Sequence, residues 1–183
     1  RTTYTINTPD YNKLCISPGL KKTTGNNVSD PFYKKIEIPE LPHQSKILKE
    51  ISLLEKNNLF VKHRGDDHPG WFGFCLHGLS YEKTEGYENY GYKNDEEAPY
   101  KWTDEALQYC PDLVKYFKNS NIKKEYHRLR IMKIEPNGYI NFHNDDPQKF
   151  RRQWALNIAI NNPPNCEMHF WNNELQYAGI VPW

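Results

Sequence analysis

One stretch of the chain carries most of its structural and chemical information: Arg128-Leu-Arg130-Ile-Met-Lys-Ile-Glu-Pro136-Asn-Gly138-Tyr-Ile-Asn-Phe-His143-Asn-Asp145. Its centre, Pro136-Asn-Gly138, predicts a turn between two β-prone segments. Residues i and i+2 of a strand share a face, so His143 and Asp145 are expected to point the same way. An imidazole and a carboxylate placed like this supply two of the three ligands of the facial triad that holds non-haem Fe(II). A short His-x-Asp string also arises by chance, so the residues alone leave both interpretations open.

The segments around this pair show the alternation of half-buried strands. In 139–145 the polar residues Asn141, His143 and Asp145 share a face with Tyr139, which indicates a face that is either liganded or in solvent. In the following segment, 154–160, one face is bulky and the other has only small side chains around the amide of Asn157. Small residues leave room for a ligand, but a close contact between a sheet and a helix needs them equally.

Arginines flank the predicted metal strand on both sides. Arg128 and Arg130 share a face of the preceding strand, and Arg151 and Arg152 begin the following one. Because a guanidinium grips a carboxylate in a two-pronged fork, such a cluster suits an α-keto acid or an amino-acid carboxylate. The alternative, for each arginine taken alone, is that it lies at the end of a strand in solvent and binds no ligand.

Hydrophobic periodicity predicts helices first and an antiparallel sheet afterwards. Ile47, Leu48, Ile51 and Leu54 define a helix from Ser45 that should pack on a sheet. Trp71–Leu76 is expected to be a strand, and Thr103 to cap a helix that reaches Tyr109 and restarts at Pro111 to run to Phe117. Strands are predicted at 35–38, 126–135, 139–145, 154–160 and 166–171.

This order predicts an α+β, mainly β fold with a double-stranded β-helix core of the jelly-roll or cupin-like kind and N-terminal helices packed on the sheet. We expect one domain over 1–183. It has an irregular arm at 1–33, a helical and loop-rich support at 34–124 and a β core at 125–183 that continues beyond Trp183. The aromatic segment 81–102 suits a lid over a site and a plain surface excursion equally.

Composition narrows the class of protein. The 183 residues are 37% hydrophobic and 26% charged, which predicts a soluble protein. The formal net charge of +1 is too small to attract nucleic acids or membranes non-specifically. The four cysteines are widely spaced, so we expect reduced thiols in a cytoplasm. The expected partner is a small-molecule or peptide substrate.

The chain resembles the aspartyl/asparaginyl β-hydroxylase-like Fe(II)/2-oxoglutarate oxygenases, including their branch that hydroxylates free amino acids. The resemblance runs from about His63 to the end. It rests on Lys62-His-Arg64, Gly70-Trp71, Leu76-His-Gly-Leu79, Arg152 and, most specifically, the block from Arg128 to Asp145. That block is similar to the R-x-R…P-G…H-x-D signature of the family, with Asn137 between the usual Pro and Gly.

The resemblance implies a dioxygenase in which His143 and Asp145 hold Fe(II), 2-oxoglutarate is the co-substrate, and O₂ is used to hydroxylate a C–H bond of an amino acid, a peptide side chain or a similar carboxylate-bearing molecule. Arg152, Trp154 and Asn157 are the expected co-substrate residues, although many members have a His where this chain has Trp154. Substrate contacts are expected from these residues: Arg128, Arg130, Asn141, Arg151, His63 and Arg64. The distal iron-binding His is expected beyond Trp183, with His169 as the candidate inside the chain.

A binding module is the competing interpretation. A cupin-like or jelly-roll domain could keep the barrel, and even a metal, but bind a ligand without turnover. Zn or Mn in place of Fe is a further alternative, because nitrogen and oxygen ligands do not select iron uniquely.

Overall fold

The computed structural model describes residues 42–64, 68–120, 127–141, 158–161, 169–171 and 177–180. Backbone contacts divide the chain into two compact units. One is Pro39–Glu135; the other combines Arg1–Ile38 with Pro136–Trp183.

The helices of the Pro39–Glu135 unit are α1 (Gln44–Lys56), α2 (Asp104–Tyr109) and α3 (Pro111–Asn119). Helix α1 buries Ile47 and Leu54, the residues whose spacing predicted it. Helix α2 begins at the N-cap Thr103, whose hydroxyl accepts a hydrogen bond from the Ala106 backbone N–H at 3.2 Å. Pro111 occupies the first turn of α3, where no intrahelical N–H is needed. The three predicted helices are therefore confirmed.

The sheet of this unit is antiparallel and is built around one central strand. Strand β2 (Trp71–Gly78) pairs along one edge with β4 (Leu129–Ile134). Along its other edge it pairs with β1 (Val61–Lys62) and, further on, with β3 (Lys101–Trp102). The predicted strand at Trp71–Leu76 is confirmed, and β4 lies inside the strand predicted for 126–135.

The helices pack on one face of this sheet. Lys133, which pairs with Phe72 in the sheet, forms an ion pair of 3.0 Å with Glu55 of α1, so α1 lies on the Phe72 side. Side chains alternate along a strand, and Phe74 and Leu76 therefore share this side. Both are buried, as are Leu54 and Phe117 from the helices. This face is the hydrophobic core of the unit.

In the second unit, β5 (His169–Trp171) pairs antiparallel with β6 (Tyr177–Ile180). β5 lies inside the strand predicted for 166–171. The predicted turn after β4 is present, with Asn137 in the left-handed region at φ 66°.

Two strand predictions fail where the structure can be compared with them. Residues 139–141 and 158–160, which begin and end the predicted strands 139–145 and 154–160, are irregular; the rest of both segments lies outside the described residues. A period of two shows which residues would share a face, but it does not provide a partner strand for the backbone.

The described part of the chain is thus a mixed α and β protein with an antiparallel sheet and helices on one face. Within it, no helix has both the length and the apolar character that a membrane span requires.

Candidate functional site

The face of the sheet opposite the helices carries a basic cluster. Arg130 lies opposite Cys75 and Met132 lies opposite Gly73 in the β2–β4 pairing. By strand parity these four residues share the face that α1 does not cover. We call it the arginine face.

A short segment of backbone crosses this face. Its three consecutive carbonyls each accept a hydrogen bond from a side chain: Lys83 O from the Cys75 thiol at 3.2 Å, Thr84 O from Arg130 Nη1 at 2.5 Å, and Glu85 O from Arg128 Nη1. We call Lys83–Glu85 the crossing segment. It holds both arginines of the Arg-x-Arg pair through its main chain.

Thr84 lies directly over Gly73. A Cβ atom at residue 73 would meet Thr84 Cγ2 at 3.0 Å and Thr84 Cβ at 3.1 Å, a tighter approach than most Cβ atoms make in proteins. Gly73 is therefore the residue that lets the crossing segment approach the sheet. Thr84 itself is 2% exposed.

The hydroxyl of Thr84 has a buried partner. His63, which is also 2% exposed, places Nδ1 at 2.7 Å from Thr84 Oγ1. Burial, together with the nearby positive charges of Arg130, Arg64 and Arg128, lowers the pKa of His63 to about 3. The imidazole is neutral at pH 7, so it contributes a hydrogen bond and no charge to the cluster.

Trp71 supports His63 from the side. The two rings meet edge to face with centroids 4.2 Å apart, and His68 packs on the same indole at 5.1 Å. The guanidinium of Arg64 lies over the indole, 5.7 Å from its centroid, at a residue with φ 62°. Across the described ranges, no carboxylate forms an ion pair with Arg64 or Arg128. The region is therefore rich in positive charge.

The structure brings together part of the predicted substrate site. Arg128, Arg130 and His63 contact the crossing segment, and Arg64 packs on the Trp71 ring that also contacts His63. Their role in binding a substrate stays a prediction. Asn141 follows the turn after β4 in irregular backbone, and His169 is in β5. Outside the described residues lie the other predicted site residues: His143, Asp145, Arg151, Arg152, Trp154 and Asn157. Among the described residues, no three His, Cys, Asp or Glu side chains group as a metal site would require.

Sequence reasoning missed Gly73 and Thr84. An isolated glycine inside the aromatic run Trp71-Phe-Gly-Phe74 is a signal of close backbone approach and could have indicated a covering segment. Thr84 has no such signal, because it acts through a buried hydroxyl and a main-chain carbonyl.

Comparison with known proteins adds no relative: no family model matches the sequence, and neither the curated proteins nor the solved structures contain a significant match.

Proposed function

We propose that the chain is an Fe(II)- and 2-oxoglutarate-dependent oxygenase that hydroxylates an amino acid, a peptide side chain or a similar carboxylate-bearing small molecule. The observation that carries the proposal is the order Arg-x-Arg, turn, His-x-Asp: Arg128 and Arg130, then the turn at Pro136–Asn137, then His143 and Asp145. The clustering of the two arginines with Arg64 on one face supports a site for an anionic molecule.

The donor set fits the proposed metal. His143 offers a neutral imidazole nitrogen and Asp145 a carboxylate oxygen, the ligand types of the two-histidine, one-carboxylate triad of non-haem Fe(II) enzymes. When bound, the iron would let O₂ oxidise both 2-oxoglutarate and the substrate, so that decarboxylation of the keto acid to succinate is coupled to hydroxylation of a C–H bond. The task of His143 and Asp145 would be to hold the metal and leave coordination positions open.

The remaining residues would bind and orient. A guanidinium presents five N–H donors in a planar fork that matches a carboxylate, so Arg128 and Arg130 suit the recognition of a substrate carboxylate. Arg152 would take a carboxylate of the co-substrate or the substrate. Trp71, edge-on to His63 and beneath Arg64, would give the region an apolar wall.

The test is anaerobic titration of the protein with Fe(II) and 2-oxoglutarate, with detection of the weak visible charge-transfer band that an iron-chelated keto acid produces. We expect a band in the wild-type protein that His143→Ala abolishes and Asp146→Ala retains. A band that survives His143→Ala would remove His143 from the site. Absence of any band would favour the non-catalytic binding module, and metal analysis of the purified protein would then decide between no metal and Zn or Mn.

A further inference from the structure

We propose that Lys83, Tyr90 and Arg128 form a binding site for a carboxylate anion beside the crossing segment. Their polar groups meet around Glu85: Arg128 contacts its carbonyl, Tyr90 contacts its backbone N–H, and Lys83 lies two residues before it. The sequence predicted a binding role for Arg128, whereas Tyr90 and Lys83 come from the structure. That the anion is the substrate of an oxygenase rests on the proposed function. That these three side chains bind an anion concerns the Pro39–Glu135 unit alone.

A tight turn brings Tyr90 back to the crossing segment. The short 3₁₀ helix Tyr87–Tyr90 ends at Gly91, which lies in the left-handed region at φ 85°. The hydroxyl oxygen of Tyr90 thereby accepts a hydrogen bond from the Glu85 backbone N–H at 3.2 Å. Burial raises the pKa of Tyr90, so the phenol keeps its proton at neutral pH. The hydroxyl therefore still has a hydrogen to donate, and among the described residues no acceptor takes it.

Arg128 has N–H donors that the protein does not use. Its Nη1 donates to the Glu85 carbonyl, whereas a guanidinium carries five N–H groups. Within the described ranges this is the one hydrogen bond of its side chain, and no carboxylate forms an ion pair with it. The bond to a fixed carbonyl restricts the rotamers of Arg128. Less conformational entropy is therefore lost when its remaining N–H groups bind a carboxylate.

Lys83 adds a second positive charge. Its Nζ lies over the ring of Tyr90, 5.2 Å from the centroid, in a cation–π contact. The same ring thus carries a cation on its face and a hydroxyl donor at its edge. Arg128 lies near enough to Tyr90 to act on the pKa of its phenol. A carboxylate that accepts a hydrogen bond from the Tyr90 hydroxyl would therefore have a cation on either side.

Two nearby carboxylates are held by neutral partners and do not neutralise these cations. Glu85 Oε2 accepts a hydrogen bond from the Asn89 amide at 2.5 Å, and Glu82 Oε1 accepts one from a neighbouring hydroxyl at 2.9 Å. In the part of the chain that the structure describes, neither forms an ion pair with Arg128 or Lys83. Charges attract more strongly at a partly buried place than in bulk water. The two cations and the phenol donor are therefore suited to an anion from solution.

The experiment uses the full chain, labelled with ¹⁵N and free of metal, and follows two NMR signals: the backbone amide of Glu85 and the Nε–Hε group of Arg128. The probe is sodium succinate, added against sodium chloride at matched ionic strength. We expect succinate to shift both signals, because the anion would engage the Tyr90 hydroxyl and the guanidinium. In Tyr90→Phe the affinity should fall about tenfold, the effect of losing one hydrogen bond to a charged group. Lys83→Gln should lose about threefold at low salt and less at high salt, because Lys83 is exposed.

Each variant has a matched control. Tyr92→Phe removes a hydroxyl two residues after Tyr90, and Lys133→Gln removes a cation from the helix side of the sheet, where Lys133 pairs with Glu55. Both should bind succinate within about twofold of the wild type, because neither side chain belongs to the proposed site. Arg128→Gln removes the guanidinium and should abolish the response of the Glu85 amide. If Tyr90→Phe does not fold, Lys83→Gln takes its place, and an unchanged affinity at low salt then overturns the inference.

The inference is also overturned if neither Glu85 nor Arg128 responds to succinate more than to chloride, or if folded Tyr90→Phe binds as tightly as the wild type. An equal loss in Tyr92→Phe would overturn it too, because the effect would then belong to the loop and not to the Tyr90 hydroxyl. Binding at these residues in a protein that gives no charge-transfer band with Fe(II) supports this inference and removes the proposed function. A band without a response at Glu85 or Arg128 retains the proposed function and overturns this inference.

Discussion

His63 Nδ1 and Thr84 Oγ1 lie 2.7 Å apart, and both side chains are buried. Their hydrogen bond joins the end of the β1 edge to the segment that crosses the arginine face. A protonated His63 would put a further positive charge beside Arg130, Arg64 and Arg128. Protonation of the imidazole is therefore unfavourable in the folded protein.

The stability of the protein should consequently depend on pH through His63. The pKa of His63 in the folded protein, about 3, lies below the ordinary histidine value of 6.5, so at intermediate pH the unfolded chain binds a proton that the folded chain does not. This part of the stability is present above pH 6.5 and is lost as pH falls from 6.5 toward 3. Near pH 5 one extra proton in the unfolded state corresponds to a slope of about 1.4 kcal/mol per pH unit.

Urea unfolding of the wild type and of His63→Gln between pH 7 and pH 5 measures this slope. We expect the variant to be less stable at pH 7 but to lose less stability on acidification. His127→Gln is the matched control, because His127 is an exposed residue whose contact with His77 uses its main-chain carbonyl. Equal slopes for wild type and His63→Gln would show that His63 titrates normally in the folded protein.

The contact between Gly73 and Thr84 gives a second prediction. Gly73→Ala places a methyl group 3.0 Å from Thr84 Cγ2 in a packed interior, and overpacking of this kind destabilises by about 1–3 kcal/mol. Thr84→Ser removes the Cγ2 atom, so in the double variant the effect of Gly73→Ala should be smaller than in the wild-type background. Denaturant unfolding of the four proteins measures the coupling. Additive effects would mean that the two residues do not touch.

Elements whose signal is local were predictable from the sequence. The spacing of Ile47 and Leu54, the cap at Thr103 and the proline at the start of α3 each act within a few residues, and the helices they predict are present. The aromatic run of β2 was recognised for the same reason. The pattern of β2 is local, but its pairing is not: the contact of β2 with β4 joins Trp71 to Ile134, far apart in sequence.

Of the candidate site, the sequence predicted the charged side chains but not the groups that hold them. Arg128 and Arg130 attract attention because their spacing puts them on one face. The partners that hold them are main-chain carbonyls of Thr84 and Glu85, which have no signature in a sequence. The irregular backbone at 139–141 shows the opposite case, in which an alternating pattern was present and the described residues formed no strand.

Glu50 provides a prediction about the core of the Pro39–Glu135 unit. Its buried carboxylate accepts hydrogen bonds from the backbone N–H groups of Asp112, at 2.6 Å, and Leu113, at 3.2 Å, and so caps the start of α3 from the neighbouring helix. Glu50→Ala leaves both donors unpaired, and we expect a loss of about 2–3 kcal/mol in the free energy of unfolding.

Glu55→Ala is the control on the same helix, because Glu55 forms a partly exposed ion pair with Lys133. Its loss should change the free energy of unfolding by less than about 1 kcal/mol. Chemical denaturation of the two variants gives both numbers, and equal losses would contradict the capping role of Glu50.

The last prediction compares two adjacent carboxylates. If Asp145 is the carboxylate ligand of the proposed iron site, Asp145→Ala removes a charged ligand and should abolish Fe(II) binding, whereas Asp146→Ala, which would point to the opposite face of a strand, should retain it within about twofold. Anaerobic equilibrium dialysis measures the metal, and formation of succinate from 2-oxoglutarate measures the coupled reaction.

Circular dichroism of both variants controls for folding, which neither substitution should disturb. Asp145→Ala is then expected to form no succinate and Asp146→Ala to remain active. If Asp145→Ala binds iron as the wild type does, the His-x-Asp pair is a chance string and the carboxylate ligand lies elsewhere. If both variants lose iron, the side chains of Asp145 and Asp146 act together, and the assumption that a strand separates them by face is wrong.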